Sequence, residues 1–153
     1  MSEPDPPHSA AEVRARVAAA LQRSPGAELG ASVAADGTLR RLGVSGVCTV
    51  SEANTHSVWQ ARWRRSKAQR EIIFYALHPY RPPPLPLRVV LSRLAPRSHL
   101  DTDNLAGALK AVRDEVARWL GVDDGSPAVR WECEQRDWPV QGVQIALFRE
   151  PDR

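Results

Sequence analysis

The sequence predicts an α/β (α+β) chain built on a single mixed β-sheet with two main helices. Three observations carry this. Leu87–Ala95, Val129–Gln135 and Val143–Arg149 are apolar runs of strand length, and Arg41–Val50 is a fourth candidate. Two longer stretches with helical spacing, about 57–77 and 104–120, fall between them. The resulting order, β-α-β-α-β-β, suits one sheet with helices packed on it. At 153 residues the chain can form one domain with a proper core but not two ordinary ones.

Composition narrows the function. A formal charge of +3 is only mildly basic, so any claim about nucleic acid must rest on where the cations lie. Cys48 and Cys133 have no C-x-x-C or Cys/His spacing, which argues for buried reduced thiols and against zinc. The start, MSEPDPPHS, lacks the apolar run of a signal peptide. No segment approaches the ~20 apolar residues needed to cross a bilayer. A cytoplasmic protein that does not engage membranes is expected.

Taken in order, residues 1–8 are expected to be disordered. Ser9 and Glu12 form an S-x-x-E capping box for a helix over 10–23, with Val13, Val17, Ala20 and Leu21 on its apolar side. Ser24-Pro25-Gly26 ends it. Asp36-Gly37 marks a turn between weak strand candidates at 31–35 and 38–42. Residues 1–40 thus read as an N-terminal extension or as part of the fold's edge, ahead of a main domain over 41–150. After the strand at 41–50, Ser51–Asn54 is a turn, and the first main helix runs to Leu77, before His78-Pro79. The tract Arg81–Pro86 is a stiff polyproline linker. In the strand 87–95, Leu87, Val89 and Leu91 face one way. Asn104 is the expected N-cap of the helix over 104–120, and Gly121 its C-terminal stop. The strands 129–135 and 143–149 are expected to pair as a hairpin through Pro139–Gly142.

Chemistry concentrates in Leu100-Asp101-Thr102-Asp103-Asn104-Leu105 and in Asp123-Asp124. Carboxylates at i and i+2 point the same way from an extended segment. A strand end, an acid pair, a helix and a second acid pair suit a hard cation such as Mg²⁺, which takes oxygen ligands and retains waters. The same acids could equally do no more than cap and solubilise a helix. On the helix, Leu105, Leu109, Val112, Val116, Trp119 and Leu120 share one apolar face. Asp103, Gly107, Lys110 and Asp114 line the opposite stripe, where Lys110 and Asp114 could simply form a solvated i,i+4 pair. Gly107 costs roughly 1 kcal/mol against alanine in a helix interior, so a closely approaching ligand or backbone would explain it. The helix is ~24 Å long, so Asp124 reaches the first acids only if the chain returns toward them.

Five cations, Arg62, Arg64, Arg65, Lys67 and Arg70, fall within nine positions around Trp63. On one helix they could contact phosphates, with Trp63 either stacking on a base or sugar or packing into a core or dimer interface. Arg93, Arg97 and His99 add positive charge next to the acids.

Together these motifs resemble RusA-type Holliday-junction resolvases, small homodimeric crossover junction endodeoxyribonucleases common in prophages. The resemblance spans about Val44 to Phe148. It rests on the polar turn before a basic helix, the strand into D-x-D-N-L, the amphipathic helix, and Val122-Asp123-Asp124 before a strand. It implies a Mg²⁺ site made by Asp101, Asp103 and Asp124, with DNA backbone held by Arg62, Arg64, Arg65, Lys67, Arg70 and Arg97. It further implies a homodimer acting in DNA recombination and repair on four-way junctions or other branched DNA. Family members usually place a lysine where this chain has Gly107; Lys110, one turn on, has the K-x-x-x-D spacing to Asp114 and would contact the scissile phosphate. Two alternatives stand beside a resolvase: a catalytically weakened DNA-binding protein of the same fold, and a metal-dependent nuclease or phosphatase acting on other phosphate esters.

Overall fold

The computed structural model describes residues 30–50, 59–97 and 99–151. The expected helix at 10–23, the Ser51–Asn54 turn and the first residues of the 57–77 helix lie outside them. The described elements are β1 (Ala31–Val33), β2 (Leu39–Ser45), α1 (Trp59–Leu77), β3 (Leu87–Ala95), α2 (Thr102–Ala108), α3 (Lys110–Leu120), β4 (Val129–Asp137) and β5 (Gly142–Arg149). They form one mixed sheet in the order β1-β2-β5-β3-β4. β3 and β4 run parallel, and the other neighbours run antiparallel.

The core follows from alternation along the strands. Leu42 and Val44 of β2, Val143, Ile145 and Leu147 of β5, and Leu87, Val89 and Leu91 of β3 are buried on one face. Ile73, Ala76 and Leu77 of α1, with Leu105, Leu109, Val112 and Val116, cover that face. The predicted apolar face of the second helix is therefore the one that packs, with Trp119 and Leu120 half-buried at its end. No helix among the described residues is long and apolar enough to cross a membrane.

Several expectations change. β4 and β5 do not form a hairpin, because β3 lies between them and pairs with both. The connection 138–141 passes over the end of β3, where the Trp138 amide donates to the Ala95 carbonyl (3.1 Å). Two strand spacings are ~10 Å, which four linking residues span easily. The reason is polarity. β3 is buried at seven of its nine positions and is stabilised by partners on both edges, whereas β4 carries Arg130, Glu132, Glu134 and Arg136 and suits an edge. The element order is correspondingly β-β-α-β-α-α-β-β. The strands expected on either side of the Asp36-Gly37 turn are present as β1 and β2, so residues 31–40 belong to the fold's edge, while the candidates at 38–42 and 41–50 are one strand, β2, ending at Ser45. The second helix is interrupted at Leu109 (φ −95°, ψ 0°), although Leu109 still donates to Leu105 and Arg113 to Leu109. Both cysteines are free but exposed; Cys48 lies beyond β2, and Cys133 lies on the edge strand.

Candidate functional site

β3 and β4 run parallel, so their carboxyl ends fall together, with Ala95 opposite Asp137. Ligands of sheets with parallel strands commonly bind at such an end. Arg97 adopts a left-handed conformation (φ 49°) as the chain leaves β3. Leu100 is then clamped by Gln135 of β4. Its amide donates to Oε1 (2.8 Å), and its carbonyl accepts from Nε2 (2.6 Å). His99 is held to the neighbouring Asp137, Nε2 to Oδ1, at 3.0 Å.

This clamp delivers Asp101 to the helix start. Asp101, not Asn104, is the N-cap: its backbone is extended, and Oδ1 accepts the Asn104 amide (2.9 Å). Oδ2 accepts Asn104 Nδ2 (2.8 Å). The helix thus begins at Thr102, two residues earlier than expected, because aspartate caps as well as asparagine and its own carbonyl accepts the Leu105 amide. Asp103 then sits in the first turn rather than in an extended segment. Exposed there, it is favoured by the helix dipole.

The opposite stripe of the helix is present as predicted. A Cβ added at Gly107 would meet nothing within 4 Å, so no backbone of this chain requires the glycine. Lys110 Nζ pairs with Asp114 (3.0 and 3.2 Å), and Arg70 of α1 reaches the same carboxylate at 3.1 Å. Asp114 therefore ties the basic helix to the helix that starts at the acids. Glu115, one residue on, is buried; burial pushes its carboxyl up, opposed by Arg118 and Arg70.

The basic helix is exposed where it carries most of its charge. Its buried residues are Gln69, Ile73, Ala76 and Leu77, all in the second half. Trp59 and Trp63 are 70% and 57% exposed, so Trp63 does not pack into this chain's core. The Lys67 ammonium lies 5.1 Å from the Trp63 ring. Arg62, Arg64, Lys67 and Arg70 are exposed, and Arg65 is half-buried. Arg93 differs from expectation: it is buried, and its Nε donates to the Thr49 carbonyl (3.0 Å) and hydroxyl (3.1 Å), fastening the segment after β2 to β3. It is a structural clamp rather than a surface cation.

Asp124 comes after the end of α3. Gly121 (φ 74°) reverses the chain, with Val122 donating to Ala117 and Gly121 to Arg118. The returning segment meets Arg113, whose Nη2 donates to the Asp124 carbonyl (2.6 Å). Ten residues of helix separate Arg113 from Asp103, about 15 Å along the axis. β4 then starts beside Leu87, at the far end of β3. Among the described residues, no three His, Cys, Asp or Glu side chains are grouped so as to hold a metal ion. Asp101 and Asp103 lie at the start of α2, and Asp124 follows the end of α3. A pair remains chemically adequate, since Mg²⁺ is commonly held by one or two carboxylates with waters and substrate phosphate. Each Asp101 oxygen accepts one described hydrogen bond and keeps a further lone pair.

Sequence reasoning missed the Gln135 clamp and the Arg70–Asp114 tie, since both join residues more than 30 positions apart. The chain matches no protein-family model, and no curated protein matches it in sequence.

Proposed function

We propose that the chain is a Mg²⁺-dependent, structure-selective endodeoxyribonuclease of the RusA kind, acting in the cytoplasm as a homodimer on branched DNA. The observation that carries the reading is the Arg70–Asp114 contact. With the Trp119–Tyr80 hydrogen bond further along, it runs α1 beside α3 in the same direction, so the cations and exposed tryptophans of α1 extend back toward the end of the helix pair that begins with Asp101 and Asp103. This course supports a reading in which a surface for phosphates leads toward a pair of oxygen ligands.

In this reading Asp101 and Asp103 hold the ion, which when bound polarises a phosphoryl oxygen and makes bound water more acidic. Gln135 and Asn104 fix Asp101 in place. Arg62, Arg64, Arg65, Lys67 and Arg70 hold the DNA backbone, and Arg97 flanks the acids. Lys110 exchanges Asp114 for the scissile phosphate, and Asp124 is the third acid implied by the resemblance. A two-fold dimer would match a four-way junction, where paired cuts need paired sites. In a labelled-junction assay, Asp103→Asn is expected to abolish cleavage while junction binding stays intact or strengthens. Equal loss of binding and cleavage by a folded variant would refute the assignment.

A second reading, binding without cleavage, is favoured by the engagement of Lys110 with Asp114. Titrating Mg²⁺ against a labelled junction divides the two, since only the nuclease yields symmetric nicks. Competition with duplex and single strands tests a nuclease of other specificity.

A further inference from the structure

Away from the acids, a groove of about 740 Å³ opens between the β1–β2 turn and the C-terminal half of β5. Its lining includes Asp36, Thr38, Arg40, Arg41, Phe148 and Arg149. That volume falls in the range of small-molecule sites.

Two consecutive arginines on a regular strand would point to opposite faces of the sheet. Here the pairing slips: Ser32 faces Arg41 and Val33 faces Leu39, leaving Arg40 as the extra residue of a bulge. A bulge re-aims a side chain, and both Arg40 and Arg41 line the same groove. Both are exposed, and neither has an ion pair or side-chain hydrogen bond among the described residues. The one acid of the lining is already occupied. Asp36 accepts the Thr38 hydroxyl (2.6 Å) and amide (3.0 Å) and pairs with Arg149, while its carbonyl accepts from Arg81. The uncompensated charge is therefore that of Arg40 and Arg41.

The groove also holds an aromatic ring. Phe148 lines it and is 44% exposed, with the Arg88 guanidinium 4.4 Å from the ring centroid. Arg88 is tied to Glu132 at 3.3 Å, which holds that cation against the ring. Two cations without side-chain partners among the described residues, beside an exposed aromatic ring, match a phosphate ester that carries a flat base.

We propose that this groove binds one nucleotide unit, its phosphate on Arg40 and Arg41 and its base against Phe148. The unit comes from a free mononucleotide or from a nucleic-acid strand. The site shares no residue with the endonuclease reading, and its assay runs in EDTA, so either can fail alone.

The full chain is titrated at low salt with adenosine monophosphate, with inorganic phosphate, and with a labelled 5′-phosphorylated octathymidylate. Saturable binding of the mononucleotide or the strand is expected, with phosphate at least ~10-fold weaker. Arg40→Gln/Arg41→Gln should weaken it about 10-fold or more and flatten its salt dependence, while Arg40→Lys/Arg41→Lys retains most of it. Phe148→Leu should weaken it about 5-fold or more. Preference for the mononucleotide or for the strand identifies the source. Photocrosslinking of a 5-iodouracil strand or of an 8-azido mononucleotide to the β5 peptide supplies a readout that needs no variant. Binding within twofold of wild type in the glutamine and leucine variants, phosphate as tight as the mononucleotide, or no saturable binding of either probe would overturn the proposal.

Discussion

Replacing Gly107 by alanine isolates one local free energy. Gly107 lies in α2, outside the left-handed region, and is exposed, and an added Cβ meets nothing within 4 Å. No steric cost opposes the change. The gain is then the helix-propensity difference, about 1 kcal/mol for an interior position, part of it through a less flexible unfolded chain. Interior status depends on hydrogen bonding through the irregular Leu109, and the Leu109→Leu105 and Arg113→Leu109 bonds provide it. For a chain of this length, 1 kcal/mol corresponds to a rise in Tm of roughly 2–4 °C. With a urea slope of about 2 kcal/mol/M the midpoint rises by about 0.5 M. Circular dichroism melts and urea titrations at two protein concentrations read both. A gain below ~0.3 kcal/mol would mean that Leu109 ends one helix and starts another. A net loss would refute the reasoning, since something would then be packed against residue 107. A loss confined to the higher concentration would identify a second copy as that neighbour.

Two acids give opposite pH signatures. Burial raises the Glu115 carboxyl, so the folded state binds its proton more tightly than the unfolded state does. Stability therefore falls as pH rises from 4.5 through the raised value, and Glu115→Gln should remove that slope and raise the urea midpoint at pH 7. A lower midpoint at pH 7 would show that Arg118 and Arg70 outweigh the desolvation. Asp36 is held down at about 2 by the Thr38 hydroxyl and amide, with Arg149 adding to it. Its contribution is fully present well above 3.8 and is lost as pH falls through about 2, so Asp36→Asn should destabilise at pH 6 and much less at pH 2. Equal destabilisation at both pH values would refute that account.

What was legible in the sequence was local. Leu87–Ala95 alternates between Pro86 and the polar Pro96-Arg97, so its ends coincide with the observed β3. Gly121 marks the helix end because only a residue tolerant of positive φ closes it in this way. The helix face carrying Leu105, Leu109, Val112 and Val116 follows from spacing alone. Which strand neighbours which was not local. The short link 138–141 suggested a hairpin, whereas the charge of β4 and the apolarity of β3 decided the order. The acids divide in the same manner. Asp101 and Asp103 were placed by adjacency, but Asp124 depended on how the chain returns after Gly121, where its carbonyl meets Arg113, a contact that spacing does not reveal. The charge of Arg93 was visible while its burial against Thr49 was not, because that contact crosses 44 positions.

The central seat of β5 has a consequence for how the chain assembles. β5 is the only described strand that joins the β1–β2 ribbon to the β3–β4 pair. Its partner residues in β2 lie about a hundred positions earlier, as in Leu42 with Ile145. A chain cut ahead of Gly142 would keep both helices, the acids and the basic surface, yet its sheet would be two unconnected halves with bare inner edges. Such contacts between remote segments slow folding and leave sticky intermediates. Every residue that the endonuclease reading assigns to DNA or metal thus precedes the strand that completes the sheet.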